Sequence, residues 1–423
     1  MSPRLRVAVV ARAVTPLHGV GGLERSVHDL VRHLAGRGVH VTLITPPAWE
    51  SPADGAEPFG SPLVTLMPVP YVTFPFANRP GTTILDRSTA YPIFGRRAGR
   101  EAASLVSSGR IDVVHAFGAS GLGYALARSR MPAPLVLNPQ GLEEFGGTGA
   151  PPPWLKHAGY WPLRRAVRTT ARAADAIIAT DRSIVPTIER HLQPRPGQVH
   201  VIPNGVDLAA LDALASAPET AGVRARHGIA PDETVLVSVG RLEANKGFDV
   251  LVDALARASR PGRALAASAW RWVLIGAGPF GREIEAAVHA NGLADRVLFA
   301  GRASDADLQA WYGTATLFVH PTRYEGSSLV TLEAMARRRA VVASRAGGLP
   351  DKVRPGENGW LVEPGDAAAL ASALEDALTD RARLTAMGDK SRAIVEREFA
   401  WSVLVDRQIA LYEQLLHGRA IAQ

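Results

Sequence analysis

The stretch TVLVSVGRLEANKGFDVLVDAL, residues 234–255, joins two kinds of sequence pattern. Its first six residues are largely apolar and rich in valine, which is typical of a strand buried on both faces of a parallel sheet. A helix is predicted to begin near Phe248, after a loop that contains Arg241 and Lys246. A strand that leads through a short loop into a helix is the repeating unit of a doubly wound α/β sheet.

The same alternation of apolar runs and helical patterns continues along the chain and predicts two parallel sheets. In the first half the predicted strands are 5–10, 39–45, 63–69, 111–117, 133–138, 175–180 and 199–203. In the second half they are 234–240, 271–278, 296–301, 316–321, 340–344 and 359–364. The fold class expected from this pattern is α/β, with two doubly wound domains.

The boundary between the domains is expected where strand signals stop and Ala, Ser and Pro accumulate. We place a first domain at 1–208 and a second at 209–399, and expect the terminal helix, 400–423, to pack back on the first domain. Residues 46–100 are rich in proline, glycine and aromatic residues and show little periodicity. They are predicted to form a long insertion of the kind that is functional or mobile.

The composition narrows the class of protein. The 423 residues are 47% hydrophobic and 21% charged, which is ordinary for a soluble chain of two domains. The absence of cysteine excludes disulfides and thiolate metal sites and fits a reducing compartment. No run approaches the roughly 18 apolar residues of a spanning helix, and the N-terminal apolar run suits a buried strand better than a signal peptide. A cytoplasmic protein is therefore expected.

The net charge of +7 suggests an anionic partner. Residues 154–172 contain five cations, no acid and three interleaved aromatic residues. Three interpretations stay open for this segment. It is a solvated helix whose aromatic residues lie in the core, a binding surface for a charged substrate, or a peripheral membrane contact together with residues 58–100. Nucleic acid is not expected, because no recognised binding motif accompanies the basic segment.

Two glutamates lie eight positions apart in YEGSSLVTLEAMA, residues 324–336. Ser327 or Ser328 is predicted to be the N-cap of a helix, which leaves Glu325 on the loop and Glu333 about one and a half turns into the helix. Both carboxylates can then face one cavity and hold hydroxyl groups. The free amides of the helix start, with Arg241 and Lys246 from the other loop, can hold a phosphate.

The motif GAGPFG, residues 276–281, fits the glycine pattern of dinucleotide-binding loops. It follows the second predicted strand of its domain rather than the first, and the next strand ends in Arg302 instead of an acid. We therefore prefer a tight glycine turn near a nucleotide, while an NADP-dependent enzyme stays open as an alternative.

Asp305-Ala-Asp307 fits the D-x-D pattern of metal-dependent sugar transfer. Ser304 precedes it, and a serine N-cap followed by acids in the first turn is also what a helix start requires. We expect the helix start and no metal site.

Taken in order, these motifs resemble the retaining glycosyltransferases of family 4, enzymes of carbohydrate biosynthesis with the GT-B fold. The resemblance rests on Glu325-x7-Glu333, on Arg241 and Lys246, and on three further stretches: GVGGLER (19–25), IPNGVD (202–207) and AGGLPDKVRPGENGWLVEPGD (346–366). It implies two Rossmann-like domains facing across a cleft. It also implies a hexosyltransferase that takes a UDP- or GDP-linked sugar without a metal ion or other cofactor, and passes the sugar to a glycan, lipid or small-molecule acceptor.

The resemblance also implies roles for individual residues. The donor site would comprise Arg241 and Lys246 on the diphosphate, Glu333 on the ribose hydroxyls, Glu325 near the sugar, and Gly21, Gly22, Gly326, Ser327, Ser328 and Leu329 around the phosphates. His115 would face the reacting sugar, unless it is a core histidine. Relatives commonly have Gly-Phe-Gly where this chain has Gly326-Ser327-Ser328, which leaves the preferred donor sugar open.

Three other functions remain alternatives. A nucleotide-sugar epimerase of the same fold would convert the donor without an acceptor. A phosphorylase would usually be longer and hold a lysine-bound cofactor. A non-catalytic nucleotide-sugar-binding protein would carry broken site motifs, whereas Arg241, Lys246, Glu325 and Glu333 are all present.

Overall fold

The computed structural model describes residues 5–19, 21–48, 59–73, 83–146, 158–214, 217–266 and 268–420. The chain divides into two compact units. The first runs to Asn204 and includes the C-terminal segment from Trp401, and the second is Gly205–Ala400. The first boundary expected from the sequence, after residue 208, lies four residues later in the chain.

The first unit is built on a parallel sheet of seven strands in the order β3-β2-β1-β4-β5-β6-β7. These strands are β1 Arg6–Val10, β2 His40–Thr45, β3 Val64–Pro68, β4 Val113–Phe117, β5 Leu135–Asn138, β6 Ala176–Ala179 and β7 Val199–Val201. The helices that join them are α1 Gly22–Gly36, α2 Thr83–Ser107, α3 Leu122–Ala127, α4 Trp161–Ala173 and α5 Val185–Leu192.

Alternate residues of the central strand β1 pack on opposite faces of this sheet. Ala8 and Val10 lie in the core beneath α2, α3, α4 and α5, whereas Val7 and Val9 lie in the core beneath α1 and the C-terminal helix. Successive side chains of a strand point to opposite faces, so strands covered on both sides must be apolar throughout. This requirement explains the uninterrupted apolar runs in the sequence.

The second unit has a parallel sheet of six strands in the order β10-β9-β8-β11-β12-β13. The strands are β8 Thr234–Val239, β9 Trp270–Ile275, β10 Val297–Gly301, β11 Leu317–His320, β12 Val341–Ser344 and β13 Gly359–Val362. Its helices are α6 Leu208–Ala213, α7 Ala217–Arg226, α8 Phe248–Ala258, α9 Gly281–Ala290, α10 Asp305–Thr314, α11 Leu329–Ala336, α12 Ala367–Leu378 and α13 Arg381–Ile394. Helices α8, α9 and α12 cover one face, and α7, α10 and α11 cover the other.

The C-terminal helix, α14 Trp401–Ala420, follows a π-helical turn at Val395–Phe399. Its buried side chains pack with α1 in the core of the first unit. Among the described residues, no helix combines the length and the apolar character that crossing a bilayer would require.

Every predicted strand is confirmed, with end positions that shift by a few residues. The prediction of an irregular insertion over 46–100 is wrong in its last part, because α2 spans Thr83–Ser107. Gly95 and Gly99, which are typical of loops when considered locally, lie inside this helix. A Cβ atom at Gly95 or Gly99 would collide with the backbone of Ala119 or Gly123, so these glycines permit close packing of α2 rather than a loop. Residues 49–58 and 74–82 lie outside the described part of the chain.

Candidate active site

The candidate site lies at the carboxyl ends of the strands in the second unit. From β8 the chain proceeds through β9 and β10 to one edge of the sheet, and then starts again at β11 on the other side of β8. Loops that leave such a switch point run to opposite faces, and the space between them is where open parallel sheets bind ligands. The loop after β8 carries Lys246, and the loop after β11 carries Glu325.

Lys246 and Glu325 form an ion pair at this switch point. The distance from Lys246 Nζ to Glu325 Oε2 is 2.8 Å, and the two side chains are 14% and 13% exposed. His320, the last residue of β11, places its Nε2 atom 2.7 Å from the same carboxylate oxygen. One carboxylate oxygen of Glu325 therefore lies within hydrogen-bond distance of two nitrogen atoms, in a largely buried site.

These neighbours control the ionisation of Glu325. Burial on its own would raise the pKa of this carboxyl, but the hydrogen bond and charge of His320 and the charge of Lys246 outweigh it. They lower the pKa of Glu325 to about 2. At neutral pH the side chain is an ionised hydrogen-bond acceptor and a weak base.

Two glycines let the surrounding loops approach the site closely. Gly247 has φ +66°, and a Cβ atom there would collide with the carbonyl of Pro321. Gly347, with φ +50°, faces the carbonyl of Glu325 in the same way. The loop after β8 is further fixed by its Asn245 carbonyl, which accepts a hydrogen bond from the Arg323 amide at 2.8 Å. The two loops that carry Lys246 and Glu325 are thus joined through their backbones.

The GAGPFG turn supports the loop after β8. The amide of Leu242 donates to the Ala277 carbonyl at 3.1 Å, and the amide of Phe280 donates to the Leu242 carbonyl at 2.9 Å. A Cβ atom at Gly276 or Gly278 would collide with the backbone of Gly240 or Leu242. Loop-to-loop packing accounts for these glycines without a dinucleotide, which favours the tight-turn interpretation.

Helix α11 begins as predicted. Ser328 is its N-cap, and its hydroxyl accepts from the Thr331 amide. Glu325 precedes the helix, and Glu333 is the fifth of its residues. Glu333 is 3% exposed, and its Oε2 atom accepts a hydrogen bond from the Tyr312 hydroxyl at 3.1 Å. The two glutamates are therefore held differently, Glu325 by Lys246 and His320, and Glu333 by the Tyr312 hydroxyl.

Arg241 is placed differently from Lys246. Its side chain is 75% exposed and pairs with Glu243 at 2.8 Å, so the two cations predicted to hold the diphosphate have different carboxylate partners. Within the described part of the chain, Ser327 Oγ and Asn245 Oδ1 are buried and have no hydrogen-bond partner. These two atoms belong to the loops that carry Glu325 and Lys246.

His115 does not occupy the end of its strand, where a catalytic role was expected. It is the third of five residues in β4, is 1% exposed, and its Nδ1 atom lies 2.6 Å from the Tyr412 hydroxyl of α14. Burial lowers the pKa of His115 to about 3. The placement corresponds to the core interpretation, and β4 ends two residues later at Phe117.

Gly21 and Gly22 lie at the start of α1 in the first unit, as N-cap and first helical residue. Neither has a positive φ angle, and a Cβ atom at Gly22 would meet no atom within 4 Å. The described residues thus give no steric reason for glycine at position 22.

The D-x-D motif forms a helix start. Ser304 caps α10 by accepting from the Asp307 amide at 3.1 Å, and Asp307 pairs with Arg226 at 3.0 Å. Across the described ranges, no group of three or more His, Asp or Glu side chains is arranged to hold a metal ion.

His320 and Tyr312 were not identified from the sequence. His320 stands at the end of a predicted strand, five residues before Glu325, and that position was a usable signal. Tyr312 lies on α10, and nothing in the spacing of the sequence indicates that it meets Glu333.

Two family models match consecutive parts of the chain. The model described as "Glycosyltransferase Family 4" matches residues 20–210, and the one described as "Glycosyl transferases group 1" matches residues 233–380. Among solved structures, the sucrose-phosphate synthase of Thermosynechococcus elongatus has a TM-score of 0.75 at 26% identity, covering 98% of this chain and 100% of that one. Anabaena Alr3699/HepE, solved in complex with UDP, has a TM-score of 0.69 at 22% identity, covering 97% and 100%.

Curated relatives extend the likeness over the whole chain. D-inositol 3-phosphate glycosyltransferase 1 of Catenulispora acidiphila is 30% identical, over 98% of this chain and 96% of the relative. The lipopolysaccharide core biosynthesis mannosyltransferase LpcC of Rhizobium leguminosarum bv. viciae is 34% identical, over 62% of this chain and 69% of the relative. With the two family models, this full-length match shows that the chain belongs to the family 4 glycosyltransferases.

Proposed function

We propose that this enzyme transfers a hexosyl group from a nucleoside-diphosphate sugar to an acceptor hydroxyl, with retention of configuration and without a metal ion. The observation that carries the proposal is the buried Lys246–Glu325 pair at the β8/β11 switch point. Relatives support the donor class, since HepE was solved with UDP-glucose and a relative from Mycolicibacterium smegmatis is named GDP-mannose-dependent. UDP and GDP are accordingly the candidate nucleotides.

The donor diphosphate is proposed to bind at Lys246. Without donor, the ammonium group is balanced by Glu325, and an entering diphosphate shares it. Arg241 reaches the phosphates by exchanging Glu243 for them, which its exposure permits. The first amides of α11, at Ser328 and Leu329, supply further donors to phosphate oxygens.

The sugar and the ribose are proposed to contact the two glutamates. Glu325 is ionised and accepts hydrogen bonds from sugar hydroxyls, beside the unpartnered Ser327 hydroxyl. Glu333 accepts from the ribose hydroxyls, positioned by Tyr312. Gly326 leaves space for the ligand, because a Cβ atom there would meet nothing within 4 Å.

The state of Glu325 bears on the mechanism. A carboxyl with a pKa near 2 is too weak a base to take the acceptor's proton at neutral pH. We infer that the leaving phosphate oxygen takes that proton, so that the bond to the acceptor forms on the face from which the diphosphate departs. The bond to the diphosphate breaks as the glycosidic bond forms, and Lys246 stabilises the charge that develops on the leaving group.

A thermal-shift screen against UDP, GDP, ADP, dTDP and NADP tests the donor class. A ligand that binds only the folded state raises the melting temperature with its occupancy. We expect a shift with one nucleoside diphosphate that is unaffected by chelator, is lost in Lys246→Ala and is kept in the exposed control Lys390→Ala. A shift with NADP alone, or one that requires a divalent ion, would overturn the proposal.

Epimerisation is distinguished from transfer by leaving out the acceptor. An epimerase converts the nucleotide sugar by itself, whereas a transferase at most hydrolyses it slowly. Chromatography of the nucleotide sugar after incubation measures this directly, and accumulation of an isomeric nucleotide sugar without acceptor would refute transfer.

A further inference from the structure

The helices α2, α3 and α4 form one layer on the first sheet and pack against each other pairwise. Gly99 of α2 meets the backbone of Gly123 in α3 so closely that neither position has room for a Cβ atom. Exposed residues of α2 and α3 beside these glycines therefore lie next to each other. We call the outward side of this layer the basic helix face.

Large apolar side chains are exposed on the basic helix face. Four such side chains are more than half exposed among the described residues, and three of them lie here: Ile93 on α2, Leu126 on α3 and Trp161 on α4. Trp161 was expected either in the core or at a membrane, and it is 59% exposed, whereas its neighbour Tyr160 is buried. The guanidinium of Arg165 lies 5.7 Å from the centre of the Trp161 ring, on the same exposed surface.

The charges on the basic helix face are almost all positive. Exposed arginines on α2, on α4 and in the turn after α3 are Arg96, Arg97, Arg100, Arg130, Arg165 and Arg172. Against these six, the three helices and that turn expose one acid, Glu101.

The opposite layer of the same unit is different. There Arg37, after α1, pairs with Asp406 of α14 at 2.7 Å, and α14 also exposes Glu413 and Arg407. The excess of arginine is therefore a property of one face rather than of the whole unit.

We propose that the basic helix face binds the surface of an anionic lipid bilayer. Arginines attract the lipid phosphates, and the interleaved Ile93, Leu126 and Trp161 enter the interfacial region, where tryptophan and aliphatic side chains gain from leaving water. A soluble polyanion would satisfy the arginines but would leave the aliphatic side chains in water. An acceptor presented at the bilayer fits this surface, and that last step alone rests on the proposed transferase activity.

Vesicle sedimentation tests the inference. The probe is vesicles of equimolar phosphatidylcholine and phosphatidylglycerol, with pure phosphatidylcholine vesicles and a soluble RNA as comparisons. The variant Arg96→Gln/Arg97→Gln/Arg100→Gln is set against Arg257→Gln/Arg260→Gln/Arg282→Gln, which removes three exposed arginines of the second unit. Each arginine near an anionic surface adds to the free energy of membrane binding. The loss of three arginines should therefore weaken partitioning into the vesicles roughly 10²-fold.

The expected result is salt-sensitive binding to the anionic vesicles that the α2 variant loses and the second-unit variant keeps. Trp161→Ala should weaken binding to vesicles without changing binding to RNA. Equal losses in both triple variants, no binding to anionic vesicles, or binding to RNA alone would overturn the inference. A protein that binds a nucleoside diphosphate but no vesicles refutes only this inference, whereas the reverse result refutes only the proposed function.

Discussion

Lys246 is the cation that we propose stabilises the leaving diphosphate, and its ammonium group lies in a largely buried site where charge interactions are weakly screened. Removal of one group that stabilises developing charge typically costs ~10²–10³ in turnover. We expect a loss of that order in Lys246→Ala and also in Arg241→Ala, whose side chain must first leave Glu243. Steady-state kinetics with saturating donor measures both.

Matched controls separate chemistry from folding. Lys390→Ala and Arg260→Ala remove exposed cations that lie outside both loops and should leave turnover unchanged. Near-wild-type turnover in Lys246→Ala or in Arg241→Ala would show that the substituted residue does not bind the donor diphosphate as proposed.

His115 gives a prediction about pH. Its pKa in the folded protein is about 3 against an ordinary value of 6.5, so between these values the unfolded chain binds the proton and the folded chain does not. This contribution to stability is complete above pH 6.5 and is lost as the pH falls towards 3. At pH 4.5 the loss is ~2–3 kcal/mol relative to pH 7, by the linkage between pKa shift and free energy.

The test compares the pH dependence of unfolding in urea for the wild type and His115→Gln. Between pH 6.5 and 4.5 the free energy of unfolding should fall more steeply in the wild type than in His115→Gln. The folded His115→Gln variant should keep the turnover of the wild type. A loss of ~10²–10⁴ in turnover without a change in the pH dependence would mean that His115 acts as an acid or base.

At the scale of elements, the GAGPFG turn is predicted to act on the active site through packing. Gly278→Ala pushes against Leu242 in the loop that carries Arg241 and Lys246. Overpacking of this kind costs ~1–3 kcal/mol, and a displaced loop can lower turnover by up to ~10². Thermal unfolding and kinetics of this variant measure the two effects.

The helix α7 offers a control within the same unit. A Cβ atom at Gly222 would meet nothing within 4 Å, so Gly222→Ala should stabilise the helix by ~0.5–1 kcal/mol and leave turnover unchanged. If Gly278→Ala behaved like Gly222→Ala, the turn would have another role, and binding of NADP should then be examined.

The strands could be predicted because both faces of each sheet are covered, so the requirement for apolar residues is local and continuous. The start of α11 could be predicted for a similar reason, since Ser328 and the residues it caps are neighbours in the chain. Helix α2 was missed because Pro92, Gly95 and Gly99 indicate a loop when they are considered locally. Within the helix, these two glycines make room for the backbone of Ala119 and Gly123, and local sequence patterns do not contain that contact.

The same limit applies to the candidate site. Glu325, Glu333 and Lys246 stand out because their chemistry and spacing lie within short motifs. Their partners come from other elements: Lys246 precedes Glu325 by 79 residues, and Tyr312 precedes Glu333 by 21. The ionised form of Glu325 is stabilised by Lys246 and His320, so the low pKa of this carboxyl is a property of the tertiary structure.

At the scale of the whole molecule, the chain closes its second unit before returning to the first. Val206 donates its amide to the Phe399 carbonyl at 2.9 Å, so the beginning and the end of the second unit meet. After Ala400 the chain continues into α14, whose side chains belong to the core of the first unit. The second unit is therefore one continuous segment of the chain, whereas the first unit is made of two segments.

This connectivity predicts the behaviour of fragments. The fragment 205–400 contains a whole sheet with both helical layers, and it should fold and bind the nucleoside diphosphate that stabilises the full chain. Truncation after Ala400 should instead unfold the first unit. It removes the buried Trp401, Leu404, Val405, Leu411 and Tyr412, and burial of five such side chains contributes roughly 10 kcal/mol, as much as a typical domain's entire stability.

Calorimetry and amide hydrogen exchange of both fragments measure this asymmetry. The fragment 1–400 should show one cooperative transition and protected amides only within 205–400. Adding a peptide of residues 401–420 should restore protection in the strands of the first sheet, because the peptide covers the part of the sheet face that α1 leaves exposed. Full protection of β1 and β4 without that helix would show that α14 braces a unit already stable without it, and that its return to the first unit serves another purpose.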